Sequence, residues 1–342
     1  MAAAGIPRVA EDPAPLRAGL IGLGAMGRHH ARVLRELDGV ELVALADAFG
    51  DPYGVAGDLE VLPDVDALIA SGIDTAVVAL PTHLHETTAL RLAEAGVHTL
   101  VEKPISTTVP EGRRMVEAFA SRGLVGAVGH IERFNPALQQ LRRRLAAGEL
   151  GDVYQIATRR QGPFPARIAD VGVAKDLASH DVDLTAWVVG SAYTSVYAQV
   201  TRKSGRAHED MILATARLAN GVIASHTVNW LSPMKERVTI VTGERGAFVA
   251  DTGSGDLTFY ANGTFPLEWE SVSAFRGVSE GDVTRYAFPK REPLRVEHEA
   301  FRDAVLGLES DVVTLEQGLR TLEVVEGALE SARSGQAITF AV

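Results

Sequence analysis

Three residue types suited to alcohol–carbonyl redox chemistry stand at informative places in the chain. Lys103 lies in Glu102-Lys103-Pro104, directly after the apolar run from Val97 to Val101. Asp176 and His180 lie four apart in Lys175-Asp176-Leu177-Ala178-Ser179-His180. Taking a hydride from a carbinol carbon leaves a hydroxyl proton, which needs a base with a pKa near the working pH. A cation where oxyanion character develops lowers the barrier further. On a helix, the spacing puts Asp176 and His180 on one face, away from Leu177, Leu184 and Val188. The helix dipole favours a carboxylate in the first turn. In this reading His180 is the base, and Asp176 orients either the substrate or Lys103. Pro104 fixes the local backbone and allows a cis bond. The same residues also read as a lysine at a strand end, a helix-capping aspartate and a half-buried structural histidine. His180, Asp181 and Asp183 have no second ligand pair of the right type, so no metal site is expected.

A redox role needs a hydride carrier, and the start of the chain offers a place for one. Leu16 to Ile21 reads as a buried strand running into Gly22-Leu23-Gly24-Ala25-Met26-Gly27, with a helix from about Met26 to Glu36. In G-x-G-x-x-G the first glycine permits the tight turn, the second admits a pyrophosphate and the third lets helix and strand pack closely. The helix N-terminus then favours the anion. Asp47 ends the second strand, Val40 to Ala46, about 20 residues past Gly27, where a carboxylate meets ribose hydroxyls. Ala48 and Phe49 follow, with no Arg or Lys to pair with a 2′-phosphate, so NAD is expected over NADP. Arg28, His29 and His30 read as solvated or phosphate-side residues of the first helical turn.

The elements that must position these groups change character midway. Thr75 to Leu80, His98 to Val101 and Leu124 to Val128 are short apolar strands, alternating with helices at Glu86 to Ala95 and Arg113 to Ser121. This pattern means a parallel sheet covered on both faces. Lys103 then ends a strand on the side where such sheets bind ligands. After Gly129 the chain alternates instead, at Val153 to Arg160, Thr194 to Arg202, Met211 to Leu218, Val222 to Trp230 and Arg237 to Thr242. Asn220-Gly221 is a hairpin signal. A strand-rich, antiparallel second domain is expected there, with helices at Pro136 to Ala147, Val296 to Leu306 and Thr314 to Arg333. The expected division is a flexible leader over 1–15, a nucleotide domain over 16–128 and a substrate and oligomerisation domain over 129–342.

Bulk properties bound the partners. A length of 342 residues favours two domains. A net charge of −11 argues against nucleic acid and membrane surfaces. The absence of cysteine removes thiolate nucleophiles and suits a reducing cytoplasm. An anionic substrate needs a local basic pocket, and Arg159, Arg160, Arg167, Lys235 and Arg237 are the candidates, since arginine forks suit diphosphates. Arg133 and Asn135, at the domain junction, suit a nicotinamide amide or a sugar hydroxyl.

Several of these segments resemble the glucose–fructose oxidoreductase, inositol dehydrogenase and rhizopine-catabolism oxidoreductase family. The matching residues are Gly22 to Gly27, Pro81-Thr82 with His85, Glu102-Lys103-Pro104, Asp176 with His180, Glu209-Asp210, Asn220-Gly221 and Gly243 with Gly246. The resemblance implies an α/β protein: an N-terminal Rossmann domain and a C-terminal α+β domain with a large, open, mainly antiparallel sheet, forming dimers or tetramers. It implies that Lys103, Asp176 and His180 are the catalytic set and that Pro81, Thr82, His85 and Glu102 belong to the cofactor site. Gly129 to Pro136, Gly162 to Ile168 and Asp170 to Val173 are similar to nucleotide-sugar 3-dehydrogenases of the UDP-N-acetylglucosamine type, although Ala166 and Ala169 depart from the pattern. Other readings are the same chemistry on an inositol, a free sugar or a dTDP-ketosugar, or a regulatory protein that kept the fold and lost the chemistry.

Overall fold

A computed structural model describes residues 14–165, 171–263 and 279–341. The first sheet begins with β1 (Leu16–Ile21), whose last four residues are all buried. Then follow β2 (Val40–Ala46), β3 (Val61–Leu62), β4 (Thr75–Val78), β5 (His98–Glu102) and β6 (Gly126–Gly129). The order is β3-β2-β1-β4-β5-β6, and every pairing is parallel. Continuous apolar strands such as Thr75–Val78 suit this sheet because helices cover both of its faces. These helices include α1 (Gly27–Glu36), α2 (Val65–Ala70), α3 (His85–Glu94) and α4 (Val109–Ala120). Thr108 and Glu111 form a capping box that starts α4, four residues earlier than the sequence pattern alone predicts.

The second sheet has nine strands. Seven of them are β7 (Val153–Pro163), β8 (Tyr193–Thr201), β9 (Met211–Leu218), β10 (Ile223–Asn229), β11 (Leu231–Gly243), β12 (Gly246–Asp251) and β13 (Asp256–Gly263). β14 (Ser279–Tyr286) and β15 (Ile338–Thr339) close its two edges. Among the described residues of this sheet only the β7–β10 pairing is parallel. Gly221, at φ +89°, makes the β9–β10 hairpin turn. One face of the sheet is packed under α5 (Pro136–Ala146) and α6 (Ser179–Val189), with Phe248, Leu138 and Leu184 wholly buried. The other face is open and carries the exposed Tyr197, Leu213, Ile223 and Tyr260.

Two C-terminal helices join the halves. In α8 (Leu315–Ser334), Leu315, Leu319 and Leu322 enter the core of the nucleotide domain, while Val324, Val325 and Ala328 enter the core under the second sheet. One helix therefore sets the spacing of both domains. The helix α7 (Pro293–Val305) lies against α1, with Phe301 in the core shared with Leu23 and Ala31.

Glu297 of α7 is buried, and neither carboxylate oxygen has a partner among the described residues. Burial, and then the charge of Glu102, push its pKa well above the ordinary 4.5. A carboxyl raised in this way contributes stability below pH 4.5 that is lost as the pH climbs through the folded-state value. Glu297→Gln keeps the shape without the titration. It should raise Tm at pH 8 by about 2 °C or more and flatten Tm between pH 5 and pH 8, as read by scanning fluorimetry.

Candidate active site

Where the two domains meet, Lys103 reaches from the end of β5 to Asp176. Its Nζ donates to Asp176 Oδ1 at 2.7 Å and to the Asp176 main-chain oxygen at 2.9 Å. Its backbone is set by a cis bond to Pro104. His85 stands between the Leu80 and Pro104 carbonyls, 2.9 Å from each. That buried ring, expected in the cofactor site, ties the β4 and β5 loops together. Pro81 is exposed and Thr82 is buried at the start of the short turn that follows β4.

Asp176 does not sit on a regular α-helix. Ala174–Ala178 forms a π turn that leads into α6. The turn is anchored by Glu209, whose Oε1 accepts the Ala174 amide at 3.0 Å. Gly172 lies against that carboxylate, where a Cβ would collide. His180, one turn on, is 9% exposed, and its Nδ1 is buried without a partner among the described residues. Burial and the neighbouring Lys103 ammonium, with Arg160, His130 and Arg237 beyond, hold its pKa well below 6.5. The ring is therefore neutral at physiological pH. His130 meets it edge-on, with ring centroids 6.3 Å apart.

The polar residues expected to bind substrate divide sharply. Arg133 donates through Nε and Nη2 to Asp183, at 2.8 and 2.6 Å, and through Nη1 to Gln317. Asn135 caps α5 by accepting from the Ala137 amide and donates to the Thr252 carbonyl. Arg160 is 4% exposed, with Nε on Asp181 at 3.0 Å and Nη1 on Glu132 at 2.7 Å. All three have partners within the protein, beside their expected roles as cofactor or substrate contacts. Arg159 pairs with Glu236. Arg237 is half-buried, with Nη1 on the Gln161 and Glu236 carbonyls. Lys235 is exposed on β11, beside Gly162. Arg167 lies outside the described residues.

The glycine turn fits a dinucleotide. Gly22 has φ +94°, and a Cβ on it would strike the Ala79 carbonyl. A Cβ on Gly27 would strike the Gly22 carbonyl, whereas Gly24 faces open space where a pyrophosphate can approach. No side chain caps α1 at Met26. The Arg28 and His29 amides already donate to the Gly24 and Met26 carbonyls, which leaves the amides of Ala25, Met26 and Gly27 as the donors a helix start offers an anion. Asp47 accepts the Leu23 amide at 2.7 Å on Oδ2 and the Phe49 amide at 2.8 Å on Oδ1. Each oxygen retains a lone pair for a ribose hydroxyl.

Residues 16–130 match the family described as "Oxidoreductase family, NAD-binding Rossmann fold", and residues 138–249 match its "GFO/IDH/MocA C-terminal domain". A UDP-N-acetylglucosamine 3-dehydrogenase from Acidithiobacillus ferrooxidans is 33% identical over 299 residues, which span 85% of this chain and 88% of the relative. The chain belongs to the GFO/IDH/MocA oxidoreductase family. A solved structure of that 3-dehydrogenase has a TM-score of 0.79 at 27% identity, covering 93% of this chain and 98% of that one. An inositol 2-dehydrogenase from Saccharopolyspora erythraea is 30% identical over 334 residues, 94% of this chain and 95% of the relative. GenD2 from gentamicin A biosynthesis, solved in complex with NAD, has a TM-score of 0.78 at 26% identity and covers 99% of this chain and 100% of that one.

As a GFO/IDH/MocA member the chain is a dehydrogenase whose first domain binds NAD. Among the described residues no helix is long and apolar enough to cross a membrane. Gly27→Ala forces α1 away from the turn, so it should weaken the NAD Kd by about tenfold or more, read as a smaller NAD-induced rise in Tm.

Sequence reasoning gave no structural role to Glu209 or Asp181 and read His30 as a solvated or phosphate-side residue. His30 is wholly buried rather than solvated. It lies at i+3 from Gly27 on the stripe shared with Ala31 and Leu34, a periodic signal for the buried side.

Proposed function

We propose that this dehydrogenase oxidises C3 of a nucleotide-linked hexose resembling UDP-N-acetylglucosamine. The reading rests on one observation above all, the Lys103–Asp176 pair at 2.7 Å beside a buried, neutral His180. NAD, when bound, supplies the hydride acceptor. Nδ1 of His180 is sealed from solvent, so Nε2 is the atom that takes the hydroxyl proton. The Lys103 ammonium lies where the oxygen gains negative character. Asp176 holds that ammonium in place through its carboxylate and its carbonyl. The similarity to a UDP-N-acetylglucosamine 3-dehydrogenase supports the choice of sugar.

A second reading, an inositol or another uncharged polyol, is favoured by the arginines. Arg160 and Arg159 are held by acids rather than turned toward a diphosphate. The similarity to an inositol 2-dehydrogenase agrees with this reading. The reduced-nicotinamide absorbance separates the two: it rises from NAD with UDP-sugars or inositols that are oxidised, and falls from NADH with dTDP-ketosugars that are reduced. Turnover of inositols with none of any UDP-sugar would remove the first reading.

We also propose a homo-oligomer through the open face of the second sheet. Tyr197, Leu213, Ile223 and Tyr260 leave apolar surface there that a second copy of the chain would cover. A monomeric mass by light scattering at micromolar concentration would refute it.

A further inference from the structure

Behind Lys103 runs a buried row of polar side chains that the proposed chemistry does not use. Glu102 Oε2 accepts the Lys103 amide at 3.1 Å, and its Oε1 lies 2.9 Å from His30 Nε2. His30 Nδ1 in turn lies 2.9 Å from His298 Nε2, with the two rings edge-on at 74°. The members come from three elements: β5 carries Glu102, α1 carries His30 and α7 carries His298. None of them is more than 8% exposed.

One arrangement of protons satisfies these atoms. His298 donates through Nε2 to His30 Nδ1. His30 donates through Nε2 to Glu102, and the Lys103 amide donates to the other carboxylate oxygen. Burial alone would raise the Glu102 pKa, but the His30 hydrogen bond and the Lys103 charge and amide overcome it and hold the carboxyl below its ordinary range. Burial, with His30 beside it, keeps His298 well below 6.5 and therefore neutral. The row thus joins three buried contacts end to end around the Glu102 carboxylate, and a satisfied polar network of this kind rigidifies its surroundings.

Its ends give it a use. Glu102 grips the main chain of the lysine proposed as catalytic. His30 sits one turn into α1, the helix whose N-terminus faces the pyrophosphate site. His298 brings in α7, from the far end of the chain. We propose that His298, His30 and Glu102 form a positioning relay that holds Lys103 at a fixed distance from the glycine turn, so that NAD binding and lysine placement are coupled. This rests on the role given to Lys103 above. It goes beyond that role by assigning two histidines that touch neither substrate nor cofactor.

The test uses full-length protein with His30→Leu, His298→Leu and His298→Gln. Glutamine keeps a side-chain amide donor for His30 Nδ1, and leucine does not. NAD affinity is measured by titration calorimetry, and the Lys103 Nζ to Asp176 Oδ1 distance by crystallography. Turnover is measured on whichever panel compound the wild type oxidises fastest. Both leucine variants should weaken NAD about tenfold, lengthen or disorder the 2.7 Å contact and lower kcat by about 10- to 100-fold, with KM for the sugar within about twofold. His298→Gln should recover most of each loss. The relay is refuted if His298→Leu and His298→Gln behave alike, or if His30→Leu leaves NAD affinity and the Lys103 contact unchanged. NAD affinity and that contact decide the matter even if no compound in the panel is oxidised, so failure of the substrate reading is told apart from failure of the relay.

Discussion

Lys103→Ala and His180→Ala should each lower kcat by at least ~10²-fold, with NAD affinity changing far less than the rate. The Lys103 ammonium is fixed by two bonds to Asp176, at 2.7 and 2.9 Å, so it arrives already ordered. Removing it takes away the cation at the developing oxyanion and leaves the Asp176 carboxylate unpaired in a buried position. Lys103→Arg should rescue poorly, because a planar fork cannot reproduce a point charge bonded to both a carboxylate and a carbonyl. His180→Ala removes the base and leaves the ammonium. The double variant should be little worse than the poorer single variant, since groups that act as a unit lose their effect together. The pH profile adds a separate check. A base must be unprotonated to work, and His180 is held well below 6.5, so the acid limb of kcat/KM assigned to it should lie below pH 6.5. Steady-state assays following NADH would show both effects. Single variants that kept wild-type rates would overturn the roles given to these residues.

The nucleotide domain was legible because backbone and side-chain chemistry agree locally. A strand whose last four residues are buried, glycines with distinct steric tasks and an acid at the end of β2 are each readable without distant contacts, and the structure places them as expected. The second domain was legible where strands alternate and the hairpin carries Asn220-Gly221. β12 and β13 passed unnoticed, since Gly246–Asp251 and Asp256–Gly263 are short and bounded by glycine and aspartate, which read as turns. In the site, residue type was legible but partnership was not. Whether Arg133 meets a cofactor or Asp183 depends on which helix packs beside it, and spacing along the chain carries no such information. The π turn under Asp176 was equally invisible, because its cause is Glu209, 35 residues from Ala174. Some misreadings carried their own correction. Ile156, Thr158 and Arg160 share the inward face of β7 by simple alternation, so Arg160 belongs in the interior and Arg159 on the open face.

That placement makes Arg160→Met the change with the largest expected cost in stability. The guanidinium bridges two buried or half-buried acids, donating through Nη1 to Glu132 and through Nε to Asp181. Breaking a buried ionic network by deleting one member costs about 3–5 kcal/mol, because the remaining charges are left uncompensated. For a protein of 342 residues a loss of that kind lowers Tm by roughly 4–7 °C. Burial has already pushed the Asp181 pKa up to about 6 against the pull of Arg160. Without the arginine the carboxyl should bind a proton near neutral pH, and the variant should be destabilised most at alkaline pH, where that proton is lost. Glu132→Gln with Asp181→Asn in the Arg160→Met background should recover much of the loss, since it removes both orphaned charges. The same variants decide what Arg160 does for catalysis. As a direct diphosphate ligand it would raise KM for UDP-sugars alone. As an interior cation it leaves KM for UDP-sugars and inositols equally unmoved. Its charge is also one of those that depress the His180 pKa, so its removal should shift the acid limb of kcat/KM upward toward 6.5. A rise in KM confined to UDP-sugars, with Tm unchanged, would show that the guanidinium turns toward the substrate in the working enzyme.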